Sequence, residues 1–197
     1  MLLKNINVNK NKIICIVLVF MIGFFAGQLA NLNSKPLGTI QHIEMTEVHG
    51  YVVVKVWDAE GNLIYEYEQH NIIVTIGSKY IRNILGFNNI TNMNATISIS
   101  LSNDTAPSTS WTKLPNEYTT LGLDRAEGSA SVINATAYQV QHTWTATGEA
   151  NVSCTGLHWS PVDGSDNNLF AAAEFTQVTL QANYQIQVTW TVNTPSG

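Results

Sequence analysis

Two stretches, YQVQHTWTAT at 138–147 and YQIQVTWTVN at 184–193, decide the fold class. In the first, Tyr138, Val140, His142, Trp144 and Ala146 fall on one side of an extended chain, and Gln139, Gln141, Thr143, Thr145 and Thr147 on the other. In the second, Tyr184, Ile186, Val188, Trp190 and Val192 oppose Gln185, Gln187, Thr189, Thr191 and Asn193. Successive side chains of a strand point to opposite faces, so this alternation marks strands of an antiparallel sheet with one face buried and one wet.

The same rhythm extends to other stretches. Residues 51–57 and 63–68 flank a turn-forming cluster, Asp58, Ala59, Glu60, Gly61 and Asn62, which predicts a β-hairpin. In its second arm Leu63, Tyr65 and Tyr67 share one face, and Ile64, Glu66 and Glu68 the other, the two carboxylates serving solubility and edge protection. Ile97, Ile99 and Leu101 alternate against Thr96, Ser98 and Ser100, with the polar set expected to be wet. A loop through Pro107, Trp111 and Pro115 follows, expected at the surface. Residues 151–159 and 169–175 supply two more strands around a loop holding Pro161, Asp163, Gly164, Asp166 and Asn167. At 76–85 the spacing changes: Ile76, Tyr80, Ile81, Ile84 and Leu85 recur at helical intervals, with Gly86 as the expected stop. About seven or eight such strands exceed what one flat sheet holds comfortably, so the expected fold is all-β, an antiparallel β-sandwich, Ig-like or barrel-like, with one short helix.

Residues 13–30 read IICIVLVFMIGFFAGQLA, preceded by Lys4, Lys10 and Lys12 and by no acid. Length, apolarity and the positive flank predict a transmembrane signal anchor with the rest of the chain exported. Cleavage as a signal peptide is the alternative. It is disfavoured because Gln28 or Phe24 would occupy the position where the processing site wants a small residue. The expected organisation is a cytoplasmic basic segment at 1–12, the membrane segment at 13–30, a stalk or extended arm at 31–50 and an extracellular domain at 51–197. The protein is expected at the cell membrane, or secreted if the segment is cut. Five Asn-x-Ser/Thr sequons, at Asn89, Asn94, Asn103, Asn134 and Asn151, all follow the membrane segment and are glycosylation candidates in an exported chain.

Charge narrows the partners. Three of nine basic residues precede the apolar run, leaving six against fourteen acids downstream, a formal charge of minus eight. No basic stripe with interleaved aromatics occurs, which argues against nucleic acid. Cys15 lies in the apolar run and Cys154 stands by itself downstream, so no disulfide forms within the domain. Cys154 is expected to be a small buried apolar residue.

The order of HNIIVTIGSKYIRNILG at 70–86, ISISLSNDTAPSTSWTKLPNE at 97–117, NVSCTGLHWS at 151–160 and LFAAAEFTQVTLQANYQIQVTWTV at 169–192 resembles a module of phage tail and neck structural proteins, found also in exported archaeal proteins. The resemblance implies a helix after the His-Asn step, a strand entering a loop, a Gly-Leu turn, a long final strand and a structural or adhesive role without catalytic residues. The chain departs from the pattern at His158, where an apolar aromatic is more usual, and in the membrane segment that precedes the module.

A search for chemistry yields little. Histidines at 42, 49, 70, 142 and 158 show no zinc-hydrolase spacing, and His142 shares a face with Trp144, as a core or rim histidine would. Nucleophile elbow, phosphate loop and dinucleotide fingerprint are missing from the sequence, and no cofactor is implied. Asp163, Asp166, Asn167 and the adjacent Asn168 offer oxygen ligands for calcium, although their spacing fits no defined calcium loop. Trp111, Tyr118 and Trp159 are candidates for an aromatic surface that takes sugars. The expected function is a non-enzymatic structural or adhesive surface protein, with self-association by strand addition through the arm at 34–49. The alternative is a binding module for surface carbohydrate or a partner protein.

Overall fold

The alternation at 138–147 and 184–193 is realised as two neighbouring strands paired along their whole length. Residues 48–87, 95–164 and 166–194 are described by a computed structural model. In chain order the elements are β1 (His49–Trp57), β2 (Leu63–His70), β3 (Ile72–Ile73), α1 (Thr75–Phe87), β4 (Ser98–Ser102), β5 (Ala126–Glu127), β6 (Ser129–Asn134), β7 (Ala137–Thr145), β8 (Ala150–His158), β9 (Leu169–Leu180) and β10 (Gln185–Asn193). The ten strands form two five-stranded antiparallel sheets, ordered β2-β1-β10-β7-β6 and β3-β9-β8-β4-β5. Among the described residues this is a mostly β structure with one short helix, consistent with a β-sandwich.

Register explains the core of the first sheet. Ile186 lies opposite Trp144, Val188 opposite His142 and Trp190 opposite Val140. On the other side of β10, Val52, Val54 and Val56 meet Trp190, Val188 and Ile186. Apart from partly buried His142, these side chains are buried in one cluster with Ile99, Leu101, Val152, Leu157, Ala171, Ala173, Phe175 and Leu180 of the second sheet. Burying each large side chain supplies about 1.5–3 kcal/mol, which is why one apolar face per strand suffices to bring the sheets together. The β1–β2 hairpin forms as expected: Asp58 Oδ1 accepts from the backbone N–H groups of Glu60 (3.1 Å) and Asn62 (2.8 Å), and Gly61 takes the left-handed conformation at φ 85°.

The second sheet departs from the half-buried expectation. All five residues of β4 are buried, including Ser98 and Ser100, which the alternation had assigned to a wet face. Eight of the nine residues of β8 are buried as well. The loops 103–125 and 159–168 account for this, because their side chains reach the outer face of the sheet, as described below. Three strands escaped the sequence reading: β3 and β5 have two residues each, and β6, SASVIN, is exposed at every position and so has no face to mark by alternation. β9 runs to Leu180, five residues beyond the expected end, and β1 opens at His49, two residues before the expected domain start.

Helix α1 also exceeds its expected bounds. Gly86 lies inside it and is not its stop. The informative glycine is Gly77, in the first turn, where a Cβ would collide with the carbonyl oxygen of Phe170 on β9. The helix therefore lies against the strand backbone at a distance only glycine permits. Gly77→Ala is expected to cost about 1–3 kcal/mol by overpacking. Gly86→Ala, with open space around it, should raise stability by up to about 1 kcal/mol. Urea unfolding of the two variants checks the contrast.

The apolar run at 13–30 and most of the expected arm at 31–50 lie outside the described residues. Among the described residues no helix is long and apolar enough to cross a membrane.

Candidate functional site

Chemistry-bearing side chains converge on the outer face of the second sheet. Antiparallel pairing of β4 with β8 sets Ser98 opposite His158 and Ser100 opposite Gly156. Ser100, Gly156 and His158 thus share a face, and the missing side chain of Gly156 leaves room for the imidazole. A Cβ there would stand 2.7 Å from His158 Nε2 and 3.1 Å from Ser100 Oγ.

His158 is fully buried and held at both ring nitrogens: Nε2 is 2.7 Å from Ser100 Oγ, and Nδ1 is 2.8 Å from Asn168 Oδ1. Because the amide oxygen only accepts, Nδ1 carries the hydrogen, and in the neutral ring Nε2 accepts from the serine hydroxyl. Burial, and next the positive charge of Arg125, push the His158 pKa down to about 3.

Arg125 ties this cluster to both covering loops. Its Nε and Nη2 donate to Glu117 Oε1 and Oε2, each at 2.6 Å, and its Nη1 donates to Ser160 O and Asn168 Oδ1, each at 3.1 Å. The two charged side chains are 0% and 3% exposed. The backbone N–H of Arg125 donates to Asp163 Oδ1 (3.0 Å), and that of Gly164 to Glu117 Oε2 (3.1 Å). A two-pronged arginine–carboxylate pair with its remaining donors satisfied is the form in which a buried ion pair is tolerated.

Ser100, His158 and Asn168 stand in the order of a nucleophile, a base and an orienting amide. Catalysis needs a reacting atom to approach the serine oxygen, yet all three side chains are buried under the clipped loops. What the arrangement does in this state is lock the loops to the sheet. Cys154 on the same strand is buried too, and burial, with the negative charge of Asp104, pushes its thiol up to about 12. It is therefore a thiol at neutral pH.

The sequence-derived candidates are distributed as follows. Asp163 receives the Arg125 backbone, Asp166 pairs with exposed Lys113 at 3.3 Å, Asn167 is exposed at φ 61°, and Asn168 turns inward to His158. Among the described residues no group of three or more His, Cys, Asp or Glu is arranged to hold a metal ion. Trp159 stacks on Tyr80 with ring centroids 4.6 Å apart and is buried, so its face is occupied. Trp111 packs on Val74, Leu169 and Ala172, and Tyr118 packs on the main core and donates its hydroxyl to Asn151 O at 2.7 Å. His142 is partly buried, set edge-on to Trp144 at 4.5 Å. Asn103, Asn134 and Asn151 are exposed, and Asn89 and Asn94 lie outside the described residues. Sequence reasoning missed Ser100, Glu117 and Arg125. The available signal was an arginine placed between Leu123 and Ala126 in a chain with 12% charged residues.

A second feature lies beside α1: an apolar groove of about 410 Å³ lined by Tyr80, Ile81, Ile84, Leu85, Tyr138 and Phe170 among others. Comparison with family models, with curated proteins and with solved structures yields no match to this chain.

Proposed function

We propose that this chain is an exported, non-enzymatic structural or adhesive surface protein: an Ig-like or barrel-like β-sandwich held to the membrane by residues 13–30, with the structural role of the phage tail and neck modules that its sequence resembles. The observation that carries the reading is the use made of Ser100, His158, Asn168, Arg125 and Glu117. The polar groups best suited to chemistry are buried and fully engaged in fastening loops to a sheet, as rigidity demands. Self-association through strand addition, with the arm at 34–49 lying along a sheet edge of the next copy, would make the protein a subunit of a filament or appendage. The test is protease treatment of intact cells followed by electron microscopy with the protein labelled. Digestion of the domain from outside and label on filaments or spikes are expected, whereas label confined to the interior would overturn the reading.

A second reading, a binding module for surface carbohydrate or a partner protein, is favoured by the groove beside α1, whose rim residue Leu85 is 80% exposed. Leu85→Glu should abolish adhesion of coated beads to the partner surface while leaving the melting temperature within a degree or so.

A further inference from the structure

We infer that β6 is a contact between two copies of this chain, pairing antiparallel with the β6 of the second copy about a two-fold axis. The inference rests on the self-association in the proposed function and adds to the contact made by the arm a second one, between sheet edges.

Edge strands present unpaired N–H and C=O groups, and proteins that stay apart blunt them with charge, brevity or cover. The four sheet edges among the described residues differ sharply in this respect. β3 and β5 are two residues long. β2 carries exposed Glu66 and Glu68, the former paired with Lys55 at 3.0 Å. β6 has six residues, no charge, no proline and no cover, with Val132 81% and Ile133 48% exposed. Its register with β7 is regular from Ser129 to Val132 and shifts before Asn134, so the pairing surface is confined to the strand's first four or five residues.

Charge selects a second copy as the occupant. The chain downstream of the apolar run is formally minus eight, so two copies repel at most faces, and a cationic partner would find no carboxylate on β6. Identical uncharged strands meet there without like charges in opposition, and a two-fold pair satisfies the same alternating N–H and C=O groups on both sides. Exposed Glu127 precedes the strand and lies outside the four or five residues that pair. Val132 sits opposite Tyr138 in the sheet and so on the same face, and the incoming strand would cover its isopropyl group. Two sheets of five strands would become one of ten across the pair. The contact is smaller than a standard interface, so association should depend on protein concentration.

The test uses the full-length chain with Cys15→Ser in mild detergent, since Cys154 is buried. Ser131→Cys or Val132→Cys is expected to cross-link to a dimer on mild oxidation, and Glu66→Cys on the opposite edge to give roughly a tenth as much or less. Val132→Lys, which opposes two ammonium groups, should weaken association by about tenfold or more without moving the melting temperature. Association unaffected by Val132→Lys, with cross-linking equal at position 66, would overturn the β6 pairing and leave self-association standing. A wild-type chain that stays monomeric at every concentration would remove both.

Discussion

Glu117→Leu should lower the unfolding free energy by about 3–5 kcal/mol, because it strands the Arg125 guanidinium in a site with no access to water. That is a large share of the roughly 5–15 kcal/mol that holds a domain together. The pair is 0% and 3% exposed and bonded at 2.6 Å through both nitrogens, so neither solvent nor salt takes over when one partner goes. The Lys113–Asp166 pair, with both side chains half-exposed or more, provides the contrast. Its loss through Lys113→Ala should cost less than about 1 kcal/mol. Adding Arg125→Met to Glu117→Leu is expected to restore part of the loss. Restoration stays incomplete because Ser160 O loses its donor and Asn168 Oδ1 keeps only that of His158. Urea unfolding monitored by tryptophan fluorescence measures all of these. An effect of Glu117→Leu no larger than that of Lys113→Ala would mean that the loops are held by something else.

Acid should weaken the fold through His158. In the folded chain its pKa is pushed down to about 3, first by burial and then by Arg125. In the unfolded chain it returns to about 6.5. The unfolded state therefore binds the proton more readily, and stability rises with pH wherever that difference exists. The contribution is whole above about pH 6.5 and is lost as pH falls toward 3, amounting to ~3 kcal/mol at pH 4. His142, whose pKa burial lowers as well, acts in the same direction. Its partial exposure makes the effect small. Carboxylates add their own acid dependence, so the readout is the difference between wild type and His158→Gln. The variant should start less stable at pH 7 and show a flatter slope between pH 6 and 4. Parallel slopes would show that the histidine does not carry the effect.

How much of this was legible follows from which periodicities burial produces. Along β7 and β10, Val140, Trp144, Ile186, Val188 and Trp190 had one dry side and one wetter side, and alternation named the core residues correctly. Along β4 the same alternation misassigned Ser98 and Ser100, because covering a sheet on its second face buries polar side chains without altering their order in the chain. Along β6 exposure on both faces removed the signal altogether.

The polar network was illegible for a related reason. Ser100, Glu117, Arg125, His158 and Asn168 are separated by up to 68 positions, and nothing in their local context sets one against another. Asn168 entered the reading as a calcium ligand because its neighbours are acidic. It turns instead toward His158 and Arg125, where a buried donor left unpaired would cost more than the turn it sits in.

By itself the amino-acid order determined that the chain is mostly strand, where the β1–β2 hairpin turns, that one helix follows it and which residues of β7 and β10 face inward, since each is set by side-chain alternation or backbone preference within a few neighbours. Only the tertiary structure decided that the second sheet is covered on both faces, that Arg125 fastens two loops over His158 and that β6 is left as an open uncharged edge. Those outcomes depend on which distant segments come to lie together, and desolvation acts on that proximity whatever the spacing along the chain.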